Sequence, residues 1–144
     1  MIRLMNCDDL DHVLNIENRV YSLKWTKSNF EYEINDNEFS RLYVLIIDDI
    51  IIGYAGVHII FETASITTIA IDTAYQAKGY SKLLMDHIIN EAIDNNCESI
   101  ALEVRVSNTK AIKLYEKYGF VYINIRYNYY SDNNEAAYIM MKGI

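Results

Sequence analysis

The spacing of apolar residues changes several times along the 144-residue chain, and each change marks an element. Residues 1–5 (M-I-R-L-M) alternate weakly and predict a short strand. Leu10, Val13, Leu14, Val20 and Tyr21 then share one face of a helix, with Asp8 or Asp9 as its cap. A second short helix follows Trp25, with Thr26 or Ser28 as cap and Phe30 and Ile34 on the buried side; D-N-E (36–38) ends it. Residues 41–47 (R-L-Y-V-L-I-I) form an apolar strand that turns at Asp48-Asp49 and returns over 50–61 as a hairpin. Gly53 and Gly56 in the returning arm predict bends or close packing. Residues 64–71 (A-S-I-T-T-I-A-I) give a third antiparallel strand.

After a loop the period becomes helical. Leu83, Leu84, Ile88 and Ala92 form a stripe from about Gly79, and Asn95-Asn96 ends that helix in a left-handed conformation. A strand over 98–106 and a helix over 108–118, closed by Gly119, follow. Strands at 120–127 and 136–141, joined by S-D-N-N-E, complete the pattern. The order β-α-α-β-β-β-α-β-α-β-β predicts one α/β (α+β) domain over residues 1–144. It is a mixed, mostly antiparallel sheet with a central β-α-β crossover over 64–106 and helices on both faces. In such sheets ligands sit at the carboxyl ends of the crossover strands.

Charge narrows the partners. A formal net charge of −7 argues against a phosphate backbone as partner, so no nucleic acid is expected, while a cationic acceptor is permitted. No run approaches the ~18 apolar residues of a membrane span. The N-terminus lacks a signal-peptide pattern, so the expectation is a cytoplasmic protein without a membrane partner. Cys7 and Cys97 lack metal-ligand spacing and His12, His58 and His87 are scattered, so no metal is expected.

Two stretches carry candidate chemistry. Q-A-K-G-Y-S (76–81) precedes a helix, where unpaired N–H groups and the helix dipole favour an anion. Gly79 removes a Cβ there and Lys78 adds a positive charge; a glycine easing a strand-to-helix turn is the plainer reading. In 98–106, Ile100, Leu102, Val104 and Val106 lie on one face and Ala101, Glu103 and Arg105 on the other. An inner strand should be covered on both faces, so Glu103 is expected partly buried, either paired with Arg105 or used in chemistry. Asn108, or Ser107 before it, reads as a helix cap or a ligand contact, and Tyr115 as a core tyrosine or a functional phenol.

The combination resembles a known family. Gln76, Gly79 and Ser81 fit the loop pattern Q/R-x-x-G-x-G/A, and Leu102 to Phe120 fit L-E-V-R-x-S-N-x-x-A-I-x-L-Y-x-x-x-G-F. With L-K-W-T-K-S-N-F around Trp25 and I-R-Y-N-Y-Y-S-D-N-N-E-A-A-Y-I-M at 125–140, the chain resembles the Gcn5-related N-acetyltransferase superfamily, in its ribosomal-protein alanine N-acetyltransferase branch. The resemblance implies acetyl-CoA as co-substrate. Backbone groups of Ile69, Ala70 and Ile71 would pair with its pantetheine arm, Ala77, Lys78, Gly79, Tyr80, Ser81 and Lys82 would hold the pyrophosphate, and Gln76 at the head of the loop is a further cofactor-binding residue. Asn108 would contact the cofactor, Glu103 would act as general base through water, and Tyr115 as general acid. Trp25, Tyr129 and Tyr130 would line the acceptor end, and the implied acceptor is a protein N-terminus, the N-terminal alanine of a ribosomal protein. Two positions depart from the pattern: Ser81 replaces the usual Gly or Ala, and Tyr127 follows Arg126 where a second basic residue is common. Acetylation of a small-molecule amine and a non-catalytic acyl-CoA-binding module are the alternatives.

Overall fold

A computed structural model describes all 144 residues. Seven strands form one sheet in the order β1-β2-β3-β4-β5-β7-β6. They are β1 (Ile2–Leu4), β2 (Ser40–Ile47), β3 (Ile50–Ile60), β4 (Thr63–Ile71), β5 (Ser99–Arg105), β6 (Val121–Arg126) and β7 (Ala137–Gly143). The helices are α1 (Leu10–Val20), α2 (Lys27–Asn35), α3 (Tyr80–Asp94) and α4 (Thr109–Lys117). Every neighbouring pair is antiparallel except β4 and β5, which run parallel and are joined through α3, as the crossover pattern predicts.

The period of two along the strands sorts the core into two layers. Leu42, Val44, Tyr54 and Ala70 face Leu10, Val13, Ile16 and Phe30 of α1 and α2. Tyr43, Leu45, Ala55 and Val57 belong to the opposite layer, with Leu84, Met85, Ile88 and Ala92 of α3. Ile100, Leu102 and Val104 of β5 extend that second layer to Tyr115 and Phe120. No helix is long and apolar enough to cross a membrane.

Local chemistry sets the turns. Asp48 and Asp49 both adopt positive φ (51° and 63°), the two-residue hairpin turn whose twist matches the strands. Asn96 (φ 62°) and Gly119 (φ 91°) end α3 and α4 in the left-handed conformation. At the first helix Asp9, not Asp8, takes the N-cap position, but its side chain makes no capping bond there. Asp8 and Asp9 lie inside a short 3₁₀ turn capped by Asn6, whose side chain accepts from the Asp8 N–H at 2.9 Å. Asp9 is spoken for: it accepts from the Asn6 N–H (2.9 Å) and pairs bidentately with Arg3 (2.8 Å), which holds its carboxyl below the usual range. Tyr21 lies beyond the end of α1, and Ile16 and Glu17 take buried positions instead. Thr26, not Ser28, caps α2, accepting from the Asn29 N–H at 3.1 Å.

Candidate active site

The site exists because β4 and β5 part company. They pair only at Thr63–Ser99, Ala64–Ile100 and Ser65–Ala101. Beyond that point β4 stays with β3 and β5 stays with β7. A bulge sits where they separate: Gly56 opposes Thr68 while Val57 opposes Ile66, leaving Thr67 as the extra residue on β4. An extra residue bends its strand and sharpens the local twist. Gly56 permits it, because a Cβ there would lie 2.6 Å from Thr67 Oγ1 and 2.5 Å from Leu42 Cδ2. Gly53 is closely packed too, with Ala70 O only 2.7 Å from where its Cβ would stand. The result is a cleft of about 1110 Å³ between the two strand edges, walled by α1, the start of α3, and α4.

The β4 edge presents backbone groups to this cleft. The Asp72 N–H bonds to Ile52 O at 2.8 Å, so antiparallel alternation turns Ala70 toward β3 as well and leaves Ile69 and Ile71 facing outward. Two neighbours occupy the outward carbonyls: the Tyr21 hydroxyl donates to Ile69 O, and the Gln76 amide donates to Ile71 O at 2.9 Å. The N–H groups of Ile69 and Ile71 remain for a ligand. The expectation that Ala70 also offers its backbone is corrected, since its groups belong to the β3–β4 ladder.

At the cleft's other wall, α3 begins without a side-chain cap, at Gly79 (φ 83°), after Ala77 (φ 60°). A Cβ on Gly79 would meet nothing within 4 Å, so the backbone conformation is what requires glycine there, and open space lies before the first turn. Lys110, Lys113 and Lys117, spaced to share a face of α4, line the same cleft in a chain of net charge −7. The Tyr118 hydroxyl ties the end of α4 to the first turns of α3 by donating to Asp86 Oδ1 (2.8 Å), with Lys82 O alongside at 3.2 Å. Lys78 stands 5.9 Å over the Tyr75 ring in the intervening loop. Uncapped N–H groups beside a lysine stripe fit the pyrophosphate and phosphate of a coenzyme A molecule.

Glu103 lines the cleft from β5. It is exposed and makes no hydrogen bond or ion pair, so the partial burial expected for it is corrected, and of its two alternative readings the Arg105 pair does not form. The physical reason is the split, since β5 has β4 beside it only as far as Ala101. Arg105 turns instead to Asp132 (2.8 Å) and Glu135 (3.1 Å), with its guanidinium 3.9 Å over the Tyr130 ring. Burial first, then the Tyr129 and Glu103 charges, push the Tyr130 phenol up to about 12.

Asn108 both caps α4 and faces the cleft. Its Oδ1 accepts from the Ala111 N–H at 3.2 Å, which leaves its Nδ2 free to donate. Tyr115 is 7% exposed, and burial above all raises its phenol well above the ordinary value. The end of α4 holds it in place: the Phe120 N–H bonds to Tyr115 O (3.0 Å), the Gly119 N–H bonds to Glu116 O (2.9 Å), and the Phe120 ring packs edge-on at 6.0 Å. Its hydroxyl makes no bond within the chain. Trp25, Tyr129 and Tyr130 also line the cleft, Trp25 with its ring 4.9 Å from Phe30.

Sequence reasoning missed Glu17, Tyr21 and Tyr54. Glu17 is 1% exposed on the cleft wall, bonded by the Tyr54 hydroxyl and by the Trp25 N–H at 3.0 Å. Burial, the largest influence on it, pushes its carboxyl up. A signal was present: Glu17 occupies a position in phase with the apolar stripe of Leu10, Val13 and Val20.

A mixed sheet split at its one parallel pair, with an anion-ready helix start and unpartnered polar side chains in the gap, defines the acyl-CoA-dependent transferase class. The chain belongs to the acetyltransferase (GNAT) family, whose sequence profile matches residues 10–120. A protein of Bacillus subtilis (strain 168) is 37% identical over 139 residues, covering 96% of this chain and 92% of its own. The ribosomal protein bS18-alanine N-acetyltransferase of Escherichia coli (strain K12) is 33% identical over 141 residues, covering 96% of this chain and 94% of its own. The crystal structure of the ribosomal-protein-S18-alanine N-acetyltransferase from Escherichia coli superposes with a TM-score of 0.92 at 32% identity, covering all of this chain and 93% of that one.

Proposed function

We propose that this protein transfers the acetyl group of acetyl-CoA to the α-amino group of a protein N-terminus, specifically the N-terminal alanine of a ribosomal protein, in the cytoplasm. The reading takes residues 1–144 as one catalytic domain. The observation that carries it is the presence of Glu103 and Tyr115, neither partnered within the chain, in one cleft with the outward edge of β4. The Escherichia coli relative, alike over nearly the whole of both chains, bears this activity in its name.

The residues divide the work. The N–H groups of Ile69 and Ile71 bind the pantetheine arm as an added strand would be bound. The loop 76–82 and the first turn of α3 hold the pyrophosphate, with the Ser81 hydroxyl as a further donor, and Asn108 Nδ2 donates to the arm. An α-amine, with a pKa of about 8, arrives largely protonated, and Glu103 takes its proton through water. The freed nitrogen attacks the thioester carbonyl carbon; the C–N bond forms and the C–S bond breaks. Tyr115, kept protonated by burial, gives its proton to the departing sulfur. Of the two protons left on the nitrogen, one stays on the amide and the other replaces the one Tyr115 gave, and the proton on Glu103 passes to solvent. An α-amine suits this site better than a lysine, whose pKa is about two units higher and whose deprotonation costs more.

Incubation with acetyl-CoA and a peptide with N-terminal alanine, read by mass spectrometry alongside a blocked peptide containing lysine and a panel of small amines, tests the reading. Acetyl on the alanine nitrogen is expected. Transfer confined to small amines would overturn the acceptor assignment, and coenzyme A binding without thiol release on any amine would overturn the activity.

A further inference from the structure

We propose that Glu17 is a positioning residue for the acceptor, its buried carboxylate holding the loop that forms the acceptor wall of the cleft. This rests on the peptide-acetylating reading above. Glutamate is almost never fully buried unless paired with a cation. Glu17 is 1% exposed, yet its two side-chain partners are neutral donors, the Tyr54 hydroxyl and the Trp25 N–H at 3.0 Å. Such burial disfavours folding, so a well-packed apolar residue would be the cheaper choice for stability.

What the carboxylate secures is the loop between α1 and α2. Its backbone carbonyl accepts from the Tyr21 N–H (3.0 Å) and its side chain accepts from the Trp25 N–H, so one residue fixes both ends of 21–25. Between those ends, Ser22, Leu23 and Lys24 line the cleft. Across the cleft, Ser22 Oγ donates to Asp132 at 2.7 Å, in the segment that follows Tyr129 and Tyr130. Tyr54 anchors the carboxylate from β3, beneath the loop. Enclosed in this way, Glu17 acts through Trp25 and does not itself meet the reacting atoms.

The test uses Glu17→Gln, whose amide oxygen still accepts from the Trp25 N–H while its amide nitrogen donates to the Tyr54 hydroxyl oxygen, and Glu17→Met, which matches the shape and leaves the Trp25 N–H without an acceptor. For Glu17→Met the acceptor KM is expected to rise about tenfold, with acetyl-CoA KM within about twofold. Trp25 is the only tryptophan, so acrylamide quenching of its fluorescence reads the loop directly and should increase in Glu17→Met but not in Glu17→Gln. Circular dichroism of both variants verifies folding. A large kcat loss in Glu17→Gln with an altered pH profile would overturn the proposal in favour of direct proton transfer. Unchanged acceptor KM and quenching in Glu17→Met would overturn it in favour of a purely structural carboxylate. If the wild type acetylates no peptide, the functional reading falls, while the quenching still decides whether Glu17 holds the loop.

Discussion

Glu17 and Glu103 line the same cleft and differ in almost every physical respect. Glu17 sits on α1, fully buried, with both oxygens bonded and its carboxyl pushed up by burial. Glu103 sits on β5, exposed, with no partner in the chain. A carboxylate whose bonds are all made to its own protein holds structure, whereas one with free lone pairs in open water can exchange protons with a substrate. The difference arises from the sheet: β5 loses its neighbour after Ala101, so a residue that inner-strand logic would bury is left open.

The comparison breaks most readily at the chemistry. Glu103→Gln should lower kcat on an alanine-terminated peptide about a hundredfold or more, while acetyl-CoA binding measured by calorimetry stays within about twofold. Equal losses for Glu103→Gln and Glu17→Gln would erase the distinction between the two. Tyr115→Phe should lower kcat by about the same factor with KM little changed; activity at the wild-type level would remove the phenol from the reaction.

Smaller effects test the scaffold that separates the two carboxylates. Gly56→Val forces a side chain against Thr67 and Leu42, at the bulge that opens the cleft. Overpacking of this kind should cost about 1–3 kcal/mol, read as a lowered Tm, with a weaker affinity for acetyl-CoA as β4 is displaced. Gly119→Ala strains a backbone at φ 91° by about 1 kcal/mol and loosens the Tyr115 anchor, so kcat should fall more than the stability loss alone explains.

The smallest effect is the dependence of stability on pH. Because Glu17 binds its proton more tightly folded than unfolded, its ionisation disfavours folding, and the contribution is lost as pH rises from the ordinary carboxylate range through the raised folded value. Asp9, Asp72, Asp132 and Glu135, lowered by their partners, act oppositely and lose their contribution as pH falls. Subtracting the Glu17→Gln stability curve from the wild-type curve isolates the first effect. A flat difference would mean that Glu17 is not strained by burial.

Much of this arrangement was legible from residue spacing. The element order, the parallel crossover, the Asp48-Asp49 turn and the left-handed ends at Asn96 and Gly119 all follow from local rules, because period and turn chemistry act over a few residues. The 102–120 block gave the family, and with it the cofactor. What escaped depends on contacts far apart in sequence. Arg105 chooses Asp132 and Glu135, roughly thirty residues away, over its near neighbour Glu103. The Thr67 bulge lies opposite Gly56 on another strand, whose missing Cβ gives it room, and nothing within 64–71 signals it. Asp9 stands at the N-cap position of α1 without a capping bond, its carboxylate engaged by Arg3 and the Asn6 N–H, while Asn6 caps the 3₁₀ turn before it. Glu17 was readable as a charge in phase with an apolar stripe, but its partners Tyr54 and Trp25 appear only in the fold.

The most direct measurement is the turnover of an alanine-terminated ribosomal-protein peptide by wild type, Glu103→Gln and Glu17→Gln, with the acetylated nitrogen located by fragmentation mass spectrometry. The predicted result is acetyl on the α-nitrogen alone, turnover nearly abolished in Glu103→Gln, and turnover largely retained in Glu17→Gln. Acetyl on another nitrogen, or turnover that survives in Glu103→Gln and fails in Glu17→Gln, would contradict it.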